Sequence, residues 1–311
     1  MWRDIDPRTP EPERAERPRG GRAGWQELPD DLGNPRSALT RDLDLPRGPA
    51  RERVRLMGRE YRLSGSDVST LAAVGGFRVV PASDLRELTE AEAERRPASL
   101  EHLRQAGLIR TQPYVVGRQR TTVVTLTERG RALLEESRRQ RSGQPSQAFY
   151  AGISKPRELA HDSRVYRAYL RAAERLAERG ARVRRIVLEE ELKRAYQQFL
   201  QSRNRGRGDA DGRPETDRYA IERWAAQHEL PCHDGHVQFP DLRIEYEERD
   251  GRRAIEDVEV VTPHYRGALA AAKARAGFTR YRAVGARVGG WTHTGRSGGG
   301  PDPRLAEELL S

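Results

Sequence analysis

The sequence predicts a mixed fold, α+β in its first ordered half and α/β in its second, behind a disordered basic arm. Three observations carry that expectation. Residues 1–62 are dense in Pro, Arg, Gly and acidic residues and poor in apolar ones, so they lack the surface to order on their own. From Ser64 the apolar residues recur at helical spacing and then give way to two extended pieces around a basic turn. Beyond residue 150, helical and alternating segments interleave and end in an Asp-Gly hairpin flanked by carboxylates.

Composition bounds the function classes. The 311 residues suffice for two modest domains plus tails. Hydrophobic content of 35% against 33% charged suits a chain with much unfolded sequence. A net charge of +10 favours a polyanionic partner, nucleic acid first. Lys155, Lys193 and Lys273 are the only lysines, so the positive charge is almost all arginine. A GC-rich genome produces the same bias, but arginine suits bidentate phosphate and guanine contacts whatever its origin. Cys232 stands alone, which excludes an intramolecular disulfide and fits a reducing cytoplasm. No apolar run approaches membrane-spanning length, and the first residues lack the apolar core of a secretory signal. A cytoplasmic protein with no membrane partner is expected.

The arm through residue 62 reads either as a DNA-tracking basic segment or, more plainly, as a solvated linker, with local docking through Leu43–Leu45. Residues 63–140 then form the first domain. Ser66-Asp67 caps a helix whose Val68, Leu71, Val74 and Phe77 share a face. Pro81–Asp84 opens a short helix with Leu85 and Leu88. A third follows Pro97, with Leu100, Leu103 and Ala106 inward and Gly107 as its stop. Leu108–Val116 and Thr121–Leu126 are extended, separated by Gly117-Arg118-Gln119-Arg120, and a last helix starts at Thr127. Three helices, a basic-tipped hairpin and a further helix make the winged helix-turn-helix plan. The run from Leu103 to Ile109 followed by Leu126-Thr127-Glu128-Arg129-Gly130 resembles many bacterial winged-helix regulators. In that plan the third helix enters the major groove and the wing reaches phosphates or the minor groove. Candidate DNA contacts are Arg95, Arg96, Ser99, His102 and Arg104 on the helix and Arg118 and Arg120 on the wing. Use of the same fold as a protein-interaction module stays open.

A polar linker, Arg138–Gln147, leads to the second domain, residues 150–286. Glu158–Arg179 is a helix with Leu159, Val165, Tyr169, Ala172 and Leu176 inward and His161 in its first turn. Val183–Leu188 is a strand, and Glu189-Glu190-Glu191 opens a helix through Leu200, its carboxylates suiting the positive end of the dipole. The basic loop Ser202–Pro214 reads as a DNA-contacting flap or a plain insertion. A helix from Thr216 or Asp217 runs to His228. His228, Cys232, His233 and His236 lie close in sequence, but their spacing matches no zinc finger and a second cysteine is missing. Residues 265–276 are an Ala-rich helix bearing Lys273, Tyr281–Val284 a short strand, and 287–311 a loose tail.

The segment before that helix carries the chemistry. Phe239–Glu247 and Arg253–Val261 pair across Arg249–Arg252, where Asp and Gly tolerate the positive φ a tight turn needs. Strand alternation puts Ile255, Asp257, Glu259 and Val261 on one face and Glu256, Val258 and Val260 on the other. Asp241 stands at the start of the partner strand. Carboxylates gathered there repel unless Mg²⁺, an arginine or water sits among them.

Pro240-Asp241, the hairpin and Asp257-Val258-Glu259 together resemble the core of the PD-(D/E)xK nucleases. The chain over Ser64–Val284 is similar to the replication-relaxation family, which joins a winged helix to such a domain. That resemblance implies Asp241 and Asp257 as ligands of Mg²⁺ with the Val258 carbonyl, Glu259 where the nucleases carry Lys, and Lys273 or Arg266 as its substitute. It also implies a histidine, here His161, on the helix that opens the domain, alternatively an ordinary packing residue. Three functions follow as expectations. The first is a double-strand DNA-binding protein of plasmid or mobile-element replication or mobilisation, with a homodimer or replication and mobilisation proteins as further partners. The second is a Mg²⁺-dependent DNA endonuclease using Asp241, Asp257 and Glu259. The third is a winged-helix transcriptional repressor.

Overall fold

The computed structural model describes residues 35–56, 58–85, 97–116, 119–139, 145–153, 158–204, 218–261 and 275–282, all within one compact unit, Leu32–Ser311. Its first elements are a short helix, α1 (Ser37–Thr40), and an antiparallel ribbon of β1 (Glu52–Leu56) and β2 (Arg59–Leu63). This corrects the expected arm: residues 35–56 and 58–62 are structured. Leu39, Leu43 and Leu45 are buried in the main core. Arg36, only 2% exposed, donates to the Tyr166 hydroxyl at 2.8 Å and to the carbonyls of Leu85 at 3.1 Å and Asp84 at 2.7 Å. The segment has too little apolar surface for a core of its own, but it docks on surfaces that later elements supply.

Helix α2 (Gly65–Phe77) is capped by Ser64, two residues ahead of the expected Ser66. The Ser64 hydroxyl accepts from the Asp67 N–H at 3.3 Å and Asp67 accepts from the Ser64 N–H at 3.0 Å, a reciprocal cap. There follow β3 (Val80–Pro81), α3 (Ala82–Leu85), α4 (Pro97–Gln105), β4 (Ile109–Val116), β5 (Gln119–Leu126) and α5 (Glu128–Glu136). The strands form an antiparallel sheet in the order β3-β5-β4. Gly107, at φ +69°, ends α4, and the Thr127 hydroxyl caps α5 by accepting from the Gly130 N–H at 3.0 Å. A Cβ at Gly130 would stand 2.2 Å from the Leu108 carbonyl oxygen, so only glycine lets α5 lie this close to the strand. Leu88 lies outside the described residues.

The stretch read as a linker is built in at its end. The Gln147 side chain accepts from the Ile186 N–H at 3.0 Å and donates to the Ile186 carbonyl at 3.1 Å, and Phe149 and Tyr150 are buried. Then come α6 (Leu159–Glu178), β6 (Arg182–Leu188), α7 (Glu189–Asn204) and α8 (Arg218–Gln227). A two-residue ribbon, β7 (Cys232–His233) and β8 (His236–Val237), precedes β9 (Leu242–Glu247), β10 (Arg253–Val261) and β11 (Thr279–Arg282). The four-stranded sheet has the order β11-β10-β9-β6, antiparallel except for the parallel β10–β11 pair. Leu242, Ile244, Val258 and Val260 join the core that includes Tyr169 and Leu176 of α6, while Val187 joins Leu192, Trp224 and Leu230 in a smaller cluster. Residues 287–311 lie outside the described residues.

The two expected domains share one core. Phe77 of α2 packs on Tyr166 and Tyr169 of α6, ring centroids 5.0 and 4.9 Å apart, and Ile186 belongs to the same cluster. Arg78 pairs with Glu190, and Arg167 with Asp84, across the same boundary.

Because Leu39 lies in that shared core, Leu39→Ala is expected to lower the unfolding free energy by about 2–5 kcal/mol. Urea unfolding followed by circular dichroism measures it. A change within the surface range of about 0.5 kcal/mol would place Leu39 outside the core.

Candidate functional site

The carboxylates expected to act together are placed by the β9–β10 hairpin, whose register pairs Glu247 with Arg253 and Arg243 with Asp257. Its turn is closed by the Gly251 N–H donating to the Glu248 carbonyl at 3.0 Å, and Gly251 takes φ +83°. Asp250 does not adopt the positive φ expected of it; its carboxylate accepts from the Arg252 N–H at 3.0 Å. The connection runs from Glu248 to Arg252, between the strand ends Glu247 and Arg253 expected from the sequence. That length sets which side chains face each other.

Opposite Asp257 stands Arg243, 4% exposed. Its guanidinium makes a fork onto Asp257, Nε to Oδ1 and Nη2 to Oδ2, each at 2.8 Å. It also donates to the backbone carbonyls of His228 and Glu229 just past α8. One buried arginine thus neutralises Asp257 and satisfies two carbonyls at a helix end. The positive charge beside Asp257 is that of Arg243.

Asp241 is 7% exposed and just precedes β9. Its Oδ2 accepts from the Val260 N–H at 2.8 Å and lies 3.1 Å from His161 Nε2 on the first turn of α6. His161 Nδ1 is 3.4 Å from Asp162 Oδ1. Burial alone would push the imidazole pKa down, but the hydrogen bonds and charges of Asp162 and Asp241 outweigh it and raise the pKa to about 10. His161 is therefore a cation at neutral pH, held between two carboxylates. Glu259 is 1% exposed and lies beside Arg280 of β11 in the parallel register.

These partners decide the fit of a metal. Both oxygens of Asp257 are used by Arg243, and one oxygen of Asp241 is used by Val260 and His161. Among the described residues, no group of three or more His, Cys, Asp and Glu side chains is arranged to hold a metal ion. The donor set does not fit the Mg²⁺ site that the nuclease resemblance implies. His228 is likewise committed elsewhere, stacked on Trp224 at 3.9 Å with Nδ1 2.8 Å from the Trp224 carbonyl. Lys273, Arg266 and most of the basic loop 202–214 lie outside the described residues.

On α4, Arg104 forms a bidentate pair with Glu101 at 2.8 and 2.7 Å, and His102 Nε2 lies 2.8 Å from the Arg62 carbonyl of β2. Leu103, between them, is fully buried. Arg120 is exposed on β5, and Val115 near the same hairpin end is 57% exposed. Arg95, Arg96 and Arg118 lie outside the described residues, as does the side chain of Ser99.

Sequence reasoning missed Arg243. The available signal was its solitude: strand alternation puts Arg243 on one face of β9 with Glu245 and Glu247, the only basic residue of β9, opposite a strand that carries Asp257 and Glu259. No family model matches the chain, and no curated protein or solved structure matches it significantly.

Two outcomes are expected. Asp257→Ala leaves a buried guanidinium without its counter-ion and costs about 3–5 kcal/mol, while adding Arg243→Met to it costs less than the two single changes together. A double-mutant cycle in urea measures this, and strict additivity would dissolve the pair. His161 carries a raised pKa, so its stabilisation is complete below pH 6.5 and is lost as the pH rises towards about 10. The destabilisation by His161→Gln should shrink over that window, whereas a cost independent of pH would mean a neutral ring.

Proposed function

We propose that the chain is a double-strand DNA-binding protein, with residues 63–140 acting as a winged helix-turn-helix and residues 150–286 as a nuclease-like domain that serves as scaffold rather than cleaving. The observation that carries the reading is the order α2-β3-α3-α4-β4-β5-α5 around the β3-β5-β4 sheet. In that arrangement α4 buries Leu103 and leaves Glu101, Arg104 and Gln105 to solvent beside an exposed two-stranded ribbon. A helix with one free face next to such a ribbon suits a major groove and its flanking phosphates. The net charge of +10 supports a polyanionic partner.

Scaffold rather than nuclease is favoured because Asp257 is engaged at both oxygens by a buried arginine. The sheet order β11-β10-β9-β6, with β10 and β11 parallel across a connection, supports a nuclease-like ancestry. A role in plasmid or mobile-element replication or mobilisation rests on the likeness to the replication-relaxation family. On this reading Arg104 exchanges Glu101 for DNA, an exposed pair of small net worth being readily given up.

The test is anisotropy of a short labelled duplex across a salt series, beside supercoiled-plasmid nicking with Mg²⁺. Wild type is expected to bind with steep salt dependence and to leave the plasmid intact. Arg120→Ala should weaken binding and reduce the slope of log K against log salt by about 0.9, one phosphate contact. No duplex binding sinks the proposal, and nicking abolished by Asp257→Ala replaces the scaffold reading with the endonuclease.

A further inference from the structure

The β1–β2 ribbon has two unlike faces. Its register sets Val54 opposite Tyr61, Arg53 opposite Arg62 and Arg55 opposite Glu60. By strand alternation Val54, Leu56, Tyr61 and Leu63 share the inner face. Tyr61 and Leu63 are buried in the core, and Val54 and Leu56 pack against it. The outer face then holds Arg53, Arg55, Arg62 and a single acid, Glu60.

That outer face is poorly compensated. Arg53 and Arg55 share the Glu60 carboxylate at 3.4 and 3.5 Å, with side chains 67% and 81% exposed. Such exposed pairs contribute little to stability. Arg53 and Arg62 stand directly opposite each other, a like-charge cross-strand pair that weakens the ribbon. A polyanion laid across the face relieves that repulsion, and guanidinium forks match phosphate oxygens.

The ribbon is also firmly held. At its base the Gly65 N–H donates to the Gly48 carbonyl at 2.7 Å, and a Cβ at Gly65 would stand 2.1 Å from the Arg47 carbonyl oxygen. Arg51 reaches Asp67 at 3.3 Å, tying the strand entry to the first turn of α2. Along its length β2 meets α4 through the Arg62 carbonyl and His102 Nε2 at 2.8 Å.

We propose that the outer face of this ribbon is a second DNA-backbone contact, lying along the phosphates beside the groove that α4 addresses. It rests on the DNA-binding reading and extends it to a surface outside the helix and wing. Arg53, Arg55 and Arg62 bind phosphate and read no sequence.

The test compares Arg53→Ala/Arg55→Ala/Arg62→Ala with a control of equal charge loss, Arg171→Ala/Arg223→Ala/Arg253→Ala, all exposed arginines elsewhere. Both are titrated against the same labelled duplex over a salt series, with circular dichroism as the folding check. The ribbon variant should lose roughly tenfold or more in affinity at moderate salt, and its salt slope should fall by about 2–3. The control should keep the wild-type slope. Replacing the three ribbon arginines with lysine should hold the slope near wild type, and Arg55→Glu, at a side chain 81% exposed, should weaken binding in a folded protein. A ribbon variant that binds duplex no more weakly than the control overturns this contact while leaving the DNA-binding reading standing. Absence of duplex binding by wild type, or preference for a single-stranded RNA competitor, overturns both.

Discussion

Phe77 and the two tyrosines it touches, Tyr166 and Tyr169, are the contact on which the rest of the molecule depends. Phe77 ends α2 and the tyrosines lie one turn apart on α6, so their packing sets how the two sheets are joined. Everything around them is arranged to keep water out. Leu39 covers one side, Ile186 belongs to the same cluster, and Arg36 closes the edge with its guanidinium on the Tyr166 hydroxyl and the carbonyls of α3. A buried guanidinium is tolerable only when its donors are met, and acceptors on two elements, α3 and α6, meet them here. The apolar contact and the polar seal need each other.

The second sheet solves a different problem with the same means. Carboxylates near the β9–β10 hairpin would repel if left together in low dielectric. Each of the two nearest its head is given its own cation, Arg243 for Asp257 and His161 for Asp241. The two pairs involve different elements: Arg243 also holds the chain just past α8, whereas His161 brings in the first turn of α6. Charge compensation therefore also positions helices. A divalent cation would serve the first purpose without the second.

Much of this was legible in the sequence, and the failures have physical causes. The caps at Ser64 and Thr127, the stop at Gly107 and the strand Arg253–Val261 follow from local chemistry that needs no tertiary information; only the first was displaced, by two residues. The meeting of His161 with the carboxylates was anticipated as one of two alternatives. What could not be read was anything set by distant partners. Residues 35–62 look unable to order because composition is averaged over the segment, while Arg36 finds its partners 48, 49 and 130 residues away and Leu39 joins a core built by later elements. Gln147 reads as linker because nothing local shows that its amide will complete the edge of β6. The expected strand ends Glu247 and Arg253 already set Arg243 opposite Asp257; what nothing local showed was that the guanidinium would be buried against the carbonyls just past α8.

The joint between the halves also limits how such a chain can change over generations. Recombination readily exchanges modules that touch only through a tether, because each arrives with its own interior. Here a crossover between residues 140 and 158 would bring in a foreign α6 and set unselected side chains against Phe77, Arg36 and Leu39. Exchange of either half alone would therefore disrupt the shared core. Change in either half is confined to surfaces such as the exposed rims of α4 and the ribbons, where a substitution leaves the shared interior intact.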